Sequence, residues 1–409
     1  MSELPLLARQ PILDHNLQVV GYELLCRPLP QDTQQWQETY GDYATSEVMI
    51  GAYQEIGFET VTRGLPAFIN FTRGWLLNPP IISANVLVAE ILEYIQADDD
   101  SIRAIEKLRR MNYQVALDDF VGADNQVALL PYVDIIKVDI LQLDDLDQLA
   151  ALISRYQRPG LTWLAEKVET PEEYEICRDA GCTLFQGYFF ARPAVMYGRR
   201  IPDNKISVMQ LIEQLNRPDV EIRDISRILQ SEPQLSFRLL QLMNSAAIGC
   251  VSEVTSIQHA ITLAGLDRIR AWANVLALGQ LSDKPQILRE QAVLRGYLTQ
   301  QLASISTHLD PNTAFTIGLF SLLDAFMDLP MSEVCDRLHL PDALRDALLT
   351  RQGNYGELLS LTEHCEQANW HKVDWPRLQQ LGIHSTQLSQ CYQQALQDCR
   401  ELLSPQRQG

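Results

Sequence analysis

Acidic and amide side chains stand at the ends of several apolar runs in the first half of the chain. The run VALDDFVGADNQ (115–126) places two adjacent aspartates before a loop. Adjacent carboxylates repel, and one of them resists ionisation unless a cation lies between them. The two aspartates are therefore either solvated at a turn or bound to a metal ion. The polar residues at or just beyond the ends of such runs are Glu23, Asn70, Glu90, Asp118, Asp119, Lys137, Glu166, Glu169 and Gln186.

Carboxylate and amide oxygens of this kind suit hard divalent cations such as Mg²⁺ or Mn²⁺. Two ions about 3.5–4 Å apart could share Asp118 and clamp a phosphodiester. Lys137 would add a fixed positive charge near the phosphate or the attacking water. Glu166 or Glu169 could accept a proton or bind the second ion. The spacing alone leaves both metal-assisted phosphoester chemistry and a set of solvated loop residues open.

Such a site requires strands that end on one side of the fold. The apolar runs predict strands at 19–25, 67–71, 85–91, 113–119, 134–140, 161–168 and 183–190. Amphipathic segments at 101–111 and 170–181 predict helices between them. This alternation predicts a parallel sheet, and seven runs before residue 200 favour a compact βα barrel. The carboxyl ends of barrel strands converge on one face.

The second half of the chain has a different pattern. From about Ile206 onward, apolar residues recur at helical spacing and strand patterns disappear. We predict a barrel domain at 1–198, a polar linker at 199–205 and an all-α domain at 206–409.

The net charge and the cysteine pattern limit which partners and which cellular compartment we expect for this protein. The net charge of −19 argues against DNA or an anionic membrane as the main partner, because both are polyanions. The eight cysteines lack metal-binding spacing, and no apolar run approaches the ~18 residues of a membrane span. A reduced cytoplasmic protein without membrane insertion is expected.

Seven short motifs resemble, in order and spacing, those of EAL domains, the bacterial cyclic di-GMP phosphodiesterases. They are YELLCR (22–27), FINFT (68–72), VAEILE (88–93), ALDDF (116–120), IKVD (136–139), AEKVET (165–170) and FQGYFFARP (185–193). The resemblance implies a modified (βα)8 barrel of the TIM-like type. It also implies Mg²⁺- or Mn²⁺-dependent hydrolysis of cyclic di-GMP to linear pGpG, with effects on motility and biofilm formation.

The resemblance also assigns residue roles. The implied metal ligands are Glu23, Asn70, Glu90, Asp118 and Asp119. The implied catalytic residues are Lys137, Glu166 and Glu169, the implied substrate-binding residues are Arg27 and Gln186, and Glu93 is the implied support of the loop after the aspartate pair.

Three departures from the family pattern bear on activity. The signature Glu-Ala-Leu-Leu-Arg reads ELLCR (23–27), and Lys167 replaces the Gly between the two late glutamates. Val121 replaces a Gly at which positive φ is expected in the loop that follows the aspartate pair. That loop couples metal binding to dimer contacts in active family members, so a homodimer is a further expectation. A non-hydrolysing receptor of cyclic di-GMP, or a scaffold, is the alternative to the enzyme.

The helical half resembles an HDOD domain through LLQLMNSAAIGCVSEVTSIQHAITLAGLDRIRAW (239–272). HDOD domains are helical relatives of HD-type metal phosphohydrolases, which need a His-Asp dipeptide. This dipeptide does not occur in the sequence, and Leu323-Asp324 stands in GLFSLLDAF (318–326). We therefore predict that the helical domain is not an enzyme and that it contacts an unidentified protein partner.

Overall fold

The chain divides into two compact units. The computed structural model describes residues 7–26, 58–80, 82–192, 203–217, 219–244, 254–281 and 284–403. One unit comprises Met1–Arg192 with Cys365–Trp370, and the other comprises Pro193–His364 with His371–Gly409. The first described helix of the second unit begins at Asp203, and the domain boundaries drawn from the sequence remain a prediction.

A closed barrel forms the first unit, with strands that neighbour one another in chain order. Its described strands are β1 (Leu7–Asp14), β2 (Val19–Cys26), β3 (Ala67–Phe71), β4 (Leu87–Ile91), β5 (Gln114–Leu117), β6 (Ile135–Asp139), β7 (Thr162–Glu166) and β8 (Leu184–Gln186). β1 runs antiparallel to β2 and β8, and the pairings from β2 through β8 are parallel. The (βα)8-type, TIM-like fold predicted for this half is confirmed, with a reversed first strand.

The sequence pattern missed β1. In LARQPILD, Arg9 and Gln10 interrupt the apolar run, and Pro11 lacks the N–H that a strand uses for pairing. The structure accommodates Arg9 inside the fold, where its guanidinium carbon lies 4.5 Å from the centroid of the Tyr22 ring. Its Nη1 also donates to the carbonyl of Val61. A buried arginine with two such partners escapes a search for apolar alternation.

Helices connect the barrel strands. They are α1 (Phe58–Thr62), α2 (Arg73–Leu77), α3 (Asp99–Arg110), α4 (Asp124–Leu129), α5 (Asp147–Tyr156) and α6 (Pro171–Ala180). α6 begins as its sequence predicts, because Thr170 Oγ1 accepts from Glu173 N and Glu173 Oε2 accepts from Thr170 N. It ends at Gly181, whose φ of 116° suits a residue without a side chain.

An apolar layer fills the barrel interior. Its members are the buried residues Ile12, Phe68, Val88, Ala116, Ile135 and Leu164. Gly21 leaves the space that Phe68 occupies, because a Cβ at Gly21 would lie 2.8 Å from Phe68 Cε2 and 3.0 Å from the Pro66 carbonyl oxygen. The barrel is therefore packed across its width, as in other βα barrels.

The second unit is helical in its described residues, which confirms the predicted all-α half. Its helices are α7 (Asp203–Asn216), α8 (Ile222–Gln230), α9 (Pro233–Met243), α10 (Ile257–Ala264), α11 (Leu266–Leu278), α12 (Gln286–Ile305), α13 (Pro311–Phe320), α14 (Leu323–Met327), α15 (Met331–Leu338), α16 (Asp342–Thr350), α17 (Gly353–Glu366), α18 (Trp375–Gln380) and α19 (Ser385–Leu403). α12 packs against α13 and α19. None of the described helices combines the length and apolar character needed to cross a membrane.

Candidate active site

Polar side chains at the carboxyl ends of the strands form a second layer above the apolar one. Each follows a residue of the apolar layer by two positions, so both side chains point into the barrel. The pairs are Phe68 and Asn70, Val88 and Glu90, Ala116 and Asp118, Ile135 and Lys137, and Leu164 and Glu166. Asn70 and Glu90 are register partners on β3 and β4. The structure thus brings the strand-end residues to one mouth of the barrel, while their roles as ligands remain predictions.

Lys137 lies at the centre of this layer. Its Nζ is 2.7 Å from Glu90 Oε1, 2.8 Å from Glu166 Oε1 and 3.0 Å from Asp118 Oδ1. Glu23 Oε2 is 3.6 Å away. The Lys137 side chain is only 1% exposed, and those of the four acids are between 0% and 14% exposed. One ammonium group therefore faces four largely buried carboxylates.

This imbalance shifts the pKa values of the group. Burial alone would lower the pKa of Lys137, but the charges of Asp118, Glu166, Glu23 and Glu90 outweigh it and hold that pKa well above its ordinary value. Burial raises the pKa of Glu90 well above its ordinary value, and Lys137 only partly opposes this. Burial, against the opposing charge of Lys137, raises the pKa of Glu166 to about 8. For Glu90 and Glu166, the nearby ammonium group of Lys137 therefore does not compensate for burial.

A second carboxylate cluster shares members with the first. One oxygen from each of Asp118, Asp119 and Glu166 lies within 4.8 Å of the others. Burial first, and then the charge of Asp118, raises the pKa of Asp119. Asp118 belongs to both clusters, which is the arrangement that two neighbouring cations need.

The donor set fits a divalent cation. Glu90 is fully buried, yet its Oε2 has no hydrogen-bond partner among the described residues. Oε1 of the buried Gln186 also has no hydrogen-bond partner among those residues. Buried oxygens of this type are normally satisfied, and a hard cation such as Mg²⁺ or Mn²⁺ would satisfy them here. Asp118, Asp119 and Glu166 lie close enough together to hold one such ion. The grouping of Glu23, Asn70, Glu90 and Asp118 around another ion remains a prediction, because Lys137 Nζ lies among the three carboxylates of this set.

Three further residues predicted for the site are Gln186, Glu169 and Arg27. Gln186 Nε2 donates to Glu23 Oε2 at 2.7 Å and to Gln10 Oε1 at 2.8 Å, so in this structure it orients a carboxylate. Glu169 lies at the rim, half exposed, with its Oε2 3.5 Å from Arg192 Nη2. Arg27 lies outside the described residues.

Glu93, the predicted loop support, lies beside the aspartate pair. Burial raises its pKa, its own backbone N–H opposes this, and the charges of Asp118 and Asp119 raise it further. Among the described residues, no hydrogen bond joins its side chain to the loop at 120–126.

Two residues at the rim were not assigned a role from the sequence. Lys167 has a φ of 57°, and its Nζ lies 2.6 Å from Oδ2 of the buried Asp139. Asp139 follows Lys137 by two positions on β6, so the alternation of side chains could have revealed it. The lysine at the family's glycine position is thus ion-paired beside the carboxylates.

The loop after the aspartate pair differs from the expectation drawn for Val121. Positive φ occurs at Asp119 (44°) and at Gly122 (82°), and Val121 does not adopt it. The left-handed glycine position has moved one residue along, so the replacement of Gly by Val121 adds no backbone strain at that residue.

A cavity of about 430 Å³ opens above the polar layer. Its lining includes Glu23, Asp118, Asp119, Lys137, Glu166 and Gln186. The carboxylates are therefore reachable from one side, and a phosphorylated ligand could approach any cations that they hold.

Comparisons with known proteins found two family models, related sequences and similar solved structures. Residues 31–193 match the family model of the EAL domain, and residues 201–329 match that of the HDOD domain. The uncharacterized protein YuxH of Bacillus subtilis is 32% identical over 97% of this chain and 98% of its own length. The cyclic di-GMP phosphodiesterase CdgJ of Vibrio cholerae is 32% identical over 90% of this chain and 86% of its own. A crystal structure of an EAL domain protein from Listeria monocytogenes is 22% identical, with a TM-score of 0.37, over 46% of this chain and 87% of that one.

The barrel lies in the part of the chain that matches the EAL domain, and the helical unit includes the part that matches the HDOD domain. The chain belongs to the family in which an EAL domain precedes an HDOD domain.

Proposed function

We propose that this protein is a cyclic di-GMP phosphodiesterase that depends on Mg²⁺ or Mn²⁺ and releases linear pGpG. The observation that carries the proposal is the polar layer, in which two carboxylate clusters share Asp118 around a single lysine. The relative CdgJ, which is named as a cyclic di-GMP phosphodiesterase, aligns over most of the chain and supports the choice of substrate.

The reaction adds one water across one phosphodiester. A P–O bond forms to the water oxygen, the P–O3′ bond breaks, and the departing 3′ oxygen takes up a proton. Bound divalent cations would supply Lewis acidity and charge neutralisation at the phosphate. Lys137 would hold a positive charge beside that phosphate, because its raised pKa keeps the ammonium protonated.

Glu166 is better suited than Glu169 to handle the proton. In the metal-free protein, burial, against the charge of Lys137, raises its pKa to about 8, so its carboxyl group holds a proton more readily than an ordinary glutamate does. It lies in the second cluster, whereas Glu169 lies at the rim beside Arg192. Gln186 would fix the orientation of Glu23 through its 2.7 Å hydrogen bond.

The test is a hydrolysis assay with cyclic di-GMP and Mn²⁺ or Mg²⁺, comparing wild type with Glu23→Ala. Loss of a ligand should lower the rate of pGpG release by about a hundredfold or more. Glu172→Ala is the matched control, because Glu172 is an exposed acid on α6 outside the polar layer. Equal rates for wild type and Glu23→Ala would contradict the assigned site.

One observation favours a receptor as the second candidate. Lys167 places an ammonium group at the rim, where it interacts electrostatically with Asp119. A fixed cation there could hold a nucleotide without assisting hydrolysis. Calorimetric binding of cyclic di-GMP by wild-type protein that releases no pGpG would favour this candidate. Absence of both binding and turnover would leave a scaffold.

The proposal extends to the cellular setting. Turnover of cyclic di-GMP would influence motility and biofilm formation from the cytoplasm, and the buried free cysteines of the described residues suit a reducing compartment. The helical unit, which carries Leu323-Asp324 in place of His-Asp, would act through a protein partner. We also propose a homodimer, which light scattering of the full chain tests.

A further inference from the structure

The second carboxylate cluster includes a residue with an uncommon backbone. Asp119 has a φ of 44°, in the left-handed region that residues with a Cβ rarely occupy. Its carboxylate meets those of Asp118 and Glu166, so any rotation of this backbone moves one of the three oxygens. Something must hold the left-handed conformation if the cluster is to keep its geometry.

Gln126 supplies that support. Its side chain is 3% exposed, and its Nε2 donates to the carbonyl oxygen of Asp119 at 2.8 Å. Its Oε1 accepts from Val121 N at 3.0 Å and from Ala123 N at 3.3 Å. One amide group therefore closes the loop through its oxygen and fixes Asp119 through its nitrogen.

The neighbouring contacts hold the other sides of the loop. Phe120 N donates to the Lys137 carbonyl at 2.9 Å, which fixes the peptide after Asp119. Asn125 accepts from Ala97 N at 2.7 Å and donates to the Ile95 carbonyl at 2.8 Å, which ties the start of α4 to the loop after β4. The amide side chains of Asn125 and Gln126 thus support the loop, a role that the resemblance assigned to Glu93.

We propose that Gln126 is a positioning residue for Asp119, holding its backbone in the left-handed conformation that presents its carboxylate to Asp118 and Glu166. The inference rests on the proposed function, because it takes this cluster as the place of the second cation. It goes further by naming the residue that replaces the family's loop support.

Gln126→Glu separates the two roles of the amide. The carboxylate keeps an acceptor for Val121 N and Ala123 N but loses the donor to the Asp119 carbonyl. Extra negative charge alone would strengthen cation binding, so weaker binding would report a loss of geometry. Gln157→Glu is the matched control at the other end of the barrel, because Gln157 also accepts from an N–H, that of Trp163 Nε1, and donates to a carbonyl, that of Leu161.

The experiment uses the full chain and measures Mn²⁺ binding by calorimetry and amide hydrogen exchange without metal. We expect Gln126→Glu to bind Mn²⁺ about ten- to a hundredfold more weakly while the amides of Val121 and Ala123 stay protected. Gln126→Ala should lose both affinity and protection. Gln157→Glu should bind Mn²⁺ within about twofold of wild type.

Wild-type Mn²⁺ affinity in Gln126→Glu would overturn the inference, because the loop would then need only the acceptor. Wild-type protein that binds Mn²⁺ but leaves cyclic di-GMP intact would contradict the proposed hydrolysis alone. Wild-type protein that binds no Mn²⁺ would contradict both.

Discussion

The barrel and the helical unit bury charge in different ways. In the helical unit, Asp328 has a cation on each oxygen, with Lys284 Nζ 2.6 Å from Oδ1 and Lys205 Nζ 2.5 Å from Oδ2. Glu363 is similarly matched, because Arg351 bonds both of its oxygens and Arg295 shares one of them. In these networks every carboxylate oxygen has a partner in its own unit.

At the barrel mouth, by contrast, carboxylates outnumber the cationic side chains that contact them. Four carboxylates share one lysine, and burial raises the pKa values of Glu90 and Glu166 because that lysine only partly opposes it. In the helical unit burial would raise the pKa of Glu363, but Arg295 and Arg351 outweigh it and the pKa falls. Removing one partner from a matched network destabilises a fold, whereas carboxylates with raised pKa values in a cleft mark a candidate functional site. The difference supports the proposal that the barrel mouth binds added cations.

The largest effect on this contrast should come from Lys137→Met. Removing the single ammonium leaves the buried carboxylates facing one another, so the metal-free barrel should lose about 3–5 kcal/mol of unfolding free energy at pH 8. Saturating Mn²⁺ should restore much of this loss, because a cation bound only to the folded state stabilises it. Denaturant unfolding with EDTA or with Mn²⁺ measures both quantities. A variant as stable as wild type in EDTA would contradict the central role of the lysine.

A smaller effect is expected from Glu363→Gln in the matched network. The neutral amide weakens the bonds from Arg351 and Arg295, at a cost of about 2 kcal/mol in the unfolding free energy. Mn²⁺ affinity, measured by calorimetry, should stay at the wild-type value because Glu363 lies outside the polar layer. A loss of Mn²⁺ binding in this variant would break the contrast between the two networks.

The smallest effect, taken per pH unit, is the pH dependence of the metal-free protein. The pKa of Glu166 is raised to about 8 in the folded state, while its ordinary value is 4.5. Between these values the folded state binds more protons than the unfolded state, so stability falls as pH rises. The slope from Glu166 is at most about 1.4 kcal/mol per pH unit. Unfolding from pH 5 to 8 should show this decline in EDTA and a flatter profile with Mn²⁺, and a rise with pH in EDTA would contradict the raised pKa.

The barrel could be predicted largely from alternation. Asn70, Glu90 and Lys137 each follow an apolar residue by two positions, and this spacing requires that both point inward. β1 could not be predicted in this way, because Arg9 is buried through a cation–π contact and a backbone hydrogen bond that only the folded chain supplies.

The loop after Asp119 depends on contacts that sequence spacing does not encode. The role of Gln126 follows from one left-handed residue and three hydrogen bonds made within seven positions. A glutamine near an aspartate pair is too common to indicate such a role. The expectation of a positive φ at the position of Val121 was also wrong. The loop has its positive φ at Gly122 instead.

The space that Gly21 leaves for Phe68 allows an apolar layer to pack beneath the acids. Within the described residues, the cavity above the acids gives cations and nucleotide access to them. A nucleotide bound in that cavity would cover any cations held beneath it. Metal exchange should then be slow while the nucleotide is bound and fast after it leaves. Cations should therefore bind before the nucleotide.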